Sequence, residues 1–246
     1  MNSVTAQKLI EINRQFYTRF GAEFSATRQR LQPGVKRILD SLRGDESILD
    51  LGCGNGELAR ELTRRGHRGS YLGVDFSPPL LDAAAATHSF PVKFMQADLS
   101  SPDWSAHISR PTPAPSSVEG FHVVFAFAVL HHIPSVETRL EILRTIKNLL
   151  NDDGKFILSN WQFLNSEKLK SRIQTWEQVD VREDELDEGD YLLDWRSGGK
   201  GLRYAHYFSS AELSALAEQS GMRVNASFLS DGEGGNLGLY QIWGKG

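Results

Sequence analysis

Three glycines alternate with other residues where a short apolar run ends and a helical pattern begins. Gly52, Gly54 and Gly56 form a G-x-G-x-G pattern directly after the run SILDL. Glycine lets a backbone turn tightly and lets a ligand approach without meeting a Cβ. A dinucleotide-binding loop instead separates its last two glycines by two residues and holds a pyrophosphate at the helix N-terminus. Because Glu57 follows the last glycine here, the loop favours a ligand without phosphate.

Three carboxylates stand at or near the ends of apolar runs, where a nucleoside could meet them. Asp75 ends the run that follows the glycine loop, and an acid there can accept hydrogen bonds from both ribose hydroxyls. Asp98, followed by Leu99, ends the next run and could accept from an adenine amino group. Asp50 stands just before the loop and could orient a cationic amino group. These acids, without a phosphate-binding lysine, indicate a positively charged nucleoside.

Alternating strand and helix patterns must position these residues. The predicted strands cover residues 47–52, 70–77, 92–99, 121–130, 155–161, 222–229 and 238–244. The predicted helices between them cover residues 57–66, 78–88, 135–154 and 209–221. This alternation predicts an α/β fold, with a mostly parallel sheet and helices on both of its faces.

Three segments interrupt the alternation, and we predict a single domain over residues 1–246 that contains all of them. Residues 1–46 show apolar side chains at helical spacing and are predicted to form an N-terminal helical cap. Residues 100–120 are rich in proline and are predicted to form a flexible surface loop. Residues 163–208 separate the fifth strand from the last helix and carry an acidic cluster at 182–190. A connection of this length is usually functional or disordered.

Four motifs in fixed order resemble the class I S-adenosylmethionine (SAM)-dependent methyltransferases. They are ILDLGCGNG, VDFS, QADL and FAFAVLHHI, and the resemblance covers roughly residues 40–160, the last helix and the two closing strands. It implies a Rossmann-like, mostly parallel seven-stranded sheet, SAM as the cofactor and a methyl-transfer activity. One departure is His122, where many members carry Asp; it lies at the far end of its strand, so we interpret it as structural.

The resemblance also implies a role for individual residues. The glycines would lie under the methionine and ribose parts of SAM, Asp75 would bind the ribose and Asp98 the adenine amine. Phe76 would lie near the adenine, and Ala128 would offer its backbone to the methionine part. The candidate cofactor residues are Asp50, Gly52, Gly54, Gly56, Asp75, Phe76, Asp98, Leu99 and Ala128.

Three stretches resemble a narrower group, the methyltransferases that esterify the carboxymethyl group on the wobble uridine of tRNA. They are EFSATR near the start, Trp161 at the end of the fifth strand, and RYAHYF before the last helix. The match is partial, because Glu23 stands where the group has His and Ala205 where it has Tyr. From the resemblance we expect four acceptor-side residues: Arg203, His206, Arg28 and Trp161.

Other functions remain open at this stage. A small-molecule acceptor, such as a carboxylic acid, is an alternative to tRNA. A SAM-binding partner protein without catalysis and a dinucleotide oxidoreductase are weaker alternatives. His131 and His132 have no cysteine or third ligand nearby, so we predict no metal site, although His132 could line the active site. The sequence does not show whether an activating subunit is needed.

Composition and charge limit the partners and the cellular compartment that we expect for the protein. The net charge of −4 over 246 residues provides no global attraction for nucleic acid, so we expect no DNA partner, and RNA would need a local patch. Arg60, Arg64, Arg65 and Arg68 are a candidate patch, although an ordinary solvated helix face explains them equally. One cysteine excludes a disulfide framework. With no signal-like or membrane-spanning apolar run, we expect a cytoplasmic protein without a membrane partner.

Overall fold

Helices and strands alternate along most of the chain in the computed structural model. The structure describes residues 1–26, 30–85, 88–109, 111, 120–196 and 199–246. The helices are α1 Ser3–Ala26, α2 Pro33–Leu39, α3 Glu57–Arg64, α4 Pro78–Ala84, α5 Val136–Leu149, α6 Glu167–Lys170 and α7 Ser210–Gln219. The strands are β1 Ile48–Leu51, β2 Tyr71–Asp75, β3 Val92–Gln96, β4 Phe121–Phe127, β5 Leu150–Trp161, β6 Ile173–Gln174, β7 Asp190–Trp195, β8 Gly201–His206, β9 Met222–Ser230 and β10 Gly238–Lys245.

Seven of the strands form one sheet in the order β3-β2-β1-β4-β5-β10-β9. The first five of these run parallel, and β10 is antiparallel to both β5 and β9. One apolar core lies between the sheet and α5 and α7, and another lies against α2 and α3. Every residue of β1 is buried, which explains why its apolar run is nearly continuous. The predicted Rossmann-like fold is confirmed.

The predicted helices begin at or next to the observed ones, but the predicted helix 135–154 extends past the end of α5 at Leu149. The side chain of Ser209 accepts a hydrogen bond from the backbone N–H of Glu212 at 3.0 Å, which caps the start of α7. Ser135 caps α5 in the same way, accepting from the backbone N–H of Thr138. The predicted fifth strand was too short, because β5 already begins at Leu150 and pairs there with Phe121.

The insertion at 163–208 contains a second, three-stranded antiparallel sheet in the order β6-β7-β8. Its strands lack a clean alternation of polar and apolar residues, because both faces are largely buried. Helix α1 lies along β8, where the side chain of Asn13 accepts a hydrogen bond from the backbone N–H of Tyr204 at 2.8 Å. The segment RYAHYF, named above for its resemblance to a methyltransferase group, therefore begins within strand β8.

The prediction that Arg203 and His206 both face the acceptor is wrong. Successive residues of a strand point to opposite faces, so two residues three apart cannot share a face. His206 is buried on the other side of β8, with Nδ1 2.7 Å from Asp190 and Nε2 2.8 Å from Glu212. The histidine therefore joins the small sheet to α7 and has a structural role.

A buried arginine completes this connection. Arg139 on α5 donates from Nε to the carbonyl of Ile133 at 2.8 Å and from its terminal nitrogen to the hydroxyl of Tyr204 at 2.9 Å. The same hydroxyl donates to Asp190 at 2.7 Å, and the guanidinium of Arg139 lies 3.8 Å from that carboxylate. Arg139 and Asp190 both have fully buried side chains, so each charge depends on the other partners of this network.

We expect Arg139→Met to lower the free energy of unfolding by about 3–5 kcal/mol, because it leaves the buried carboxylate of Asp190 uncompensated. Urea denaturation measures this difference. Arg182→Ala is the matched control, because it removes an exposed arginine paired with Asp184 and should leave the midpoint unchanged. Equal midpoints for Arg139→Met and the control would contradict a stabilising role for the network.

Among the described residues, no helix is both long enough and apolar enough to cross a membrane.

Candidate functional site

A cavity of about 560 Å³ opens at the carboxyl ends of the parallel strands. The chain order reverses there, because β1 pairs with β2 on one side and with β4 on the other. Open α/β sheets bind their ligands at such a switch point. The volume lies within the range of small-molecule and cofactor sites. Asp50, Asp75, Asp98, Trp161 and Arg203 all line this one cavity.

The glycine loop forms the floor of the cavity. Gly54 has φ of +54°, and a Cβ built on it would meet nothing within 4 Å, so its backbone faces open space. Gly52 also lines the cavity, but a Cβ there would lie 2.5 Å from the side chain of Val129. Gly56 does not line it; its Cβ would collide with Ala84 on α4. The assignment of Gly56 to the ligand is therefore corrected to helix packing.

The carboxylate of Asp75 is fixed by backbone hydrogen bonds at the end of β2. One oxygen accepts from the N–H of Ser77 and the other from the N–H of Gly54, both at 2.9 Å. Burial raises the pKa of Asp75, and these hydrogen bonds offset part of the increase. An acceptor group is thus held in place beside the glycine loop, where the ribose hydroxyls were predicted to bind.

Asp50 lies deeper in the cavity and accepts a hydrogen bond from the hydroxyl of Tyr71. The pKa of Asp50 is raised to about 7, chiefly by burial. The hydrogen bond from Tyr71 lowers this pKa and the nearby charge of Asp75 raises it, and both effects are smaller than that of burial. A cation bound next to Asp50 would lower this pKa again, since opposite charge favours the ionised form. This fits the predicted contact with a cationic amino group.

Asp98 is already engaged by two side chains. One oxygen accepts from the backbone N–H and the hydroxyl of Ser100 at 2.9 and 2.6 Å, and the other from the guanidinium of Arg14 at 2.8 Å. Burial raises the pKa of Asp98, but the hydrogen bonds from Ser100 and Arg14 outweigh it, so the pKa is lowered overall. Sequence reasoning missed Arg14, because nothing near it in the sequence marks a partner so far along the chain.

Helix α1 also contributes Tyr17 to the wall of the cavity. Its ring makes an edge contact with Phe76, with ring centroids 5.9 Å apart. Its hydroxyl lies 2.8 Å from Nε2 of His132, whose Nδ1 lies 3.2 Å from the carbonyl of Tyr204. A carbonyl can only accept, so Nδ1 of His132 carries a proton. His132 lines the cavity.

Ala128 and Leu99 also line the cavity. Ala128 adopts φ of +58°, and its N–H donates to the carbonyl and the hydroxyl of Ser159 at 3.0 and 3.1 Å. Only its carbonyl is therefore left to meet the methionine part of a ligand. His122, by contrast, bonds to Ser47 through Nδ1, which agrees with its structural interpretation.

The wall of the cavity that β8 contributes contains a cation among aromatic rings. The guanidinium carbon of Arg203 lies 4.7 Å from the ring centre of Trp161, 5.6 Å from that of Phe16 and 5.7 Å from that of Trp195. Such contacts hold a planar guanidinium in one orientation. His206 lies outside the cavity, and Arg28 lies outside the described residues.

The comparisons with known proteins agree with this site. A family model described as a methyltransferase domain matches residues 24–227, so the chain belongs to this methyltransferase family. Over 217 residues the chain is 31% identical to a protein of Encephalitozoon cuniculi named as a methyltransferase, and the match covers 85% of this chain and 86% of that protein. The present chain is a SAM-dependent methyltransferase, and SAM is its cofactor.

Two further proteins are similar to the chain, one in sequence and one in fold. The chain is 24% identical to the tRNA (carboxymethyluridine(34)-5-O)-methyltransferase of Saccharomyces cerevisiae, over 63% of this chain and 50% of that protein. The chain therefore spans half the length of this relative. A SAM-dependent methyltransferase of Methanosarcina mazei shares the fold, with a TM-score of 0.61 at 21% identity over 87% of this chain and 98% of that one.

We expect Asp75→Ala to weaken SAM binding by roughly 10- to 100-fold, because the ribose hydroxyls lose a charged hydrogen-bond acceptor. Isothermal titration calorimetry measures the dissociation constant. Asp82→Ala is the control, since this aspartate is exposed on α4. An unchanged constant for Asp75→Ala would refute the assignment of the ribose site.

The raised pKa of Asp50 predicts a pH-dependent stability of the cofactor-free protein. Between about pH 4 and about pH 7 the folded state keeps a proton that the unfolded chain has released, so stability falls as pH rises through this window. Asp50→Asn has no such proton. Its free energy of unfolding should exceed that of the wild type by up to about 4 kcal/mol at pH 8, and by less at pH 5. Parallel stability curves from pH 4 to 8 would contradict the raised pKa.

Proposed function

We propose that this methyltransferase esterifies a carboxylate, namely the carboxymethyl group on the wobble uridine of tRNA. The observation that carries the proposal is Arg203, a cation in an aromatic surround at the acceptor side of the cofactor cavity. An arginine is the side chain best suited to orient a carboxylate, because its planar fork can donate two parallel hydrogen bonds. The name of the Saccharomyces cerevisiae relative, a tRNA (carboxymethyluridine(34)-5-O)-methyltransferase, supports the choice of tRNA.

The chemistry needs positioning more than proton transfer. When bound, SAM supplies an activated methyl group on its sulfonium. An acceptor carboxylate oxygen attacks that carbon in line, the carbon–sulfur bond breaks, and S-adenosylhomocysteine leaves with the bonding electron pair. A carboxylate has no proton to lose, so no general base is required. The protein contributes by holding the carboxylate on Arg203 and by excluding water from the reacting charges.

A small carboxylic acid is the second candidate acceptor, and the surface charges favour it. On α3, Arg60 lies 3.0 Å from Glu57, Arg64 lies 2.8 Å from both Glu57 and Glu61, and Arg65 lies 2.6 Å from Asp40. These arginines are neutralised by neighbouring carboxylates. The candidate RNA patch on this helix is therefore a weak attraction for a phosphate backbone.

Methyl transfer to a defined RNA separates the two candidates. Labelled SAM is offered with an anticodon stem-loop that carries 5-carboxymethyluridine at the wobble position, and with the same stem-loop carrying uridine. We expect label only on the carboxymethyl RNA, and we expect mild alkali to release it, because a methyl ester hydrolyses. Transfer to free carboxylic acids but not to the RNA would favour the small-molecule acceptor.

Mass spectrometry of tRNA nucleosides from cells with and without the gene complements this assay. Any activating subunit is present in the cells, so a requirement for one cannot hide the activity. We expect the ester nucleoside to disappear and its free acid to accumulate when the gene is absent.

Arg203→Ala should lower kcat/KM for the carboxymethyl RNA by roughly 100-fold, because the acceptor carboxylate loses its charged partner. SAM affinity should not change. Arg196→Ala is the control, since this arginine is exposed at the end of β7 and pairs with Asp194. A loss of SAM affinity in Arg203→Ala would assign the arginine to the cofactor instead.

A further inference from the structure

An asparagine at the end of β5 leaves both of its polar atoms without a partner. Asn160 is 1% exposed and lines the cofactor cavity. Among the buried side chains of the described residues, it alone has neither its oxygen nor its nitrogen in a hydrogen bond. A buried carboxamide that makes no hydrogen bonds is costly in free energy, so native proteins seldom leave both of its polar atoms without a partner.

The residues on either side of Asn160 have partners. The hydroxyl of Ser159 lies 3.1 Å from the backbone nitrogen of Ala128 and accepts from it, and the side chain of Gln162 donates to the carbonyl of Phe208 at 3.0 Å. The end of β5 is thus well ordered by its hydrogen bonds. The unpartnered amide is a feature of one position and does not reflect a loosely built strand end.

A carboxamide presents one donor and one acceptor side by side. Its complement is a group with an adjacent acceptor and donor, and the imide edge of uracil, with O4 and N3–H, has this arrangement. Single-stranded RNA bases are commonly read by such contacts on their pairing edge. Asn160 would donate from Nδ2 to O4 and accept at Oδ1 from N3–H.

The position of Asn160 suits a uracil that carries a carboxymethyl group on C5. In that molecule C5 is bonded to C4, so the carboxymethyl group and O4 lie on neighbouring atoms of the ring. The residues that bind them must then be close together. Asn160 and Arg203 line the same cavity of about 560 Å³.

We propose that Asn160 binds the imide edge of the acceptor uracil while Arg203 holds the carboxylate of the carboxymethyl group on C5. Asn160 would then be a specificity-determining residue that selects the base. This inference rests on the proposed function, since it assumes a uracil acceptor. The other ligand within reach is the methionine part of SAM, and the experiment below distinguishes the two.

The test combines a protein variant with a modified substrate. The protein is wild type, Asn160→Ala or Asn151→Ala, and the substrate is the carboxymethyl stem-loop with or without a methyl group on N3 of the wobble base. Asn151 is the matched control, because it lies at the other end of β5, also has an unpaired side-chain oxygen, and does not line the cavity. Asn160→Leu replaces Asn160→Ala if the latter fails to fold.

We expect Asn160→Ala to lower kcat/KM by roughly 10- to 100-fold, the range of one bidentate base contact. SAM affinity, measured by calorimetry, should stay at the wild-type value, and Asn151→Ala should match wild type in both measurements. The N3 methyl group should lower kcat/KM in wild type by a similar factor and have little further effect in Asn160→Ala, because both changes remove the same contact.

Each other outcome overturns the inference in a distinguishable way. Equal activity of wild type and Asn160→Ala, or equal use of both stem-loops by wild type, refutes base recognition by Asn160 and leaves the proposed function standing. A loss of SAM affinity in Asn160→Ala assigns the side chain to the cofactor. No transfer to the carboxymethyl stem-loop by wild type, in an assay that includes cell extract, refutes the proposed function and the inference together.

Discussion

One asparagine on the first helix joins the two halves of the catalytic cavity. The side chain of Asn13 accepts a hydrogen bond from the backbone of Tyr204 in the small sheet and donates to the carbonyl of His132 beside the large sheet at 3.1 Å. The carboxamide thus holds α1 against both sheets at once. Arg14 and Tyr17, which close the cofactor side, and Phe16, which contacts Arg203, depend on this placement of α1.

The charges in the cavity fit the reaction that we propose, in which two opposite charges disappear. Asp50 and Asp75 form a buried acidic wall on the cofactor side, and Arg203 supplies a cation on the acceptor side. A sulfonium and a carboxylate are opposite charges that disappear as the methyl group moves, so a dehydrated site favours their reaction over the solvated reactants. One small cavity therefore offers carboxylates to a cationic cofactor and an arginine to the anionic acceptor that we propose.

Much of the fold and of the cofactor site was predictable, because both are carried by local patterns. Apolar runs and the glycine loop each act within a few positions of the chain, and they located the strands of the large sheet, the starts of four helices and the residues Asp50, Asp75 and Asp98, which line the cavity. The acceptor side was less predictable. Both faces of β8 are covered, so its sequence shows no alternation of polar and apolar residues. The strand β8, in which Arg203 and His206 point to opposite faces, was therefore not recognised from the sequence.

The sequence by itself determined the fold class, the family and the cofactor, since ordered motifs at strand ends require only the parallel sheet that their spacing implies. The tertiary structure alone decided that Arg14 binds Asp98, that His206 is structural and that Asn160 is left without a partner in the cavity. These results depend on which distant segments meet, as Asn13 meets Tyr204 across 191 positions. Hydrogen bonds over such distances leave no local pattern, because each partner is selected by the packing of whole elements.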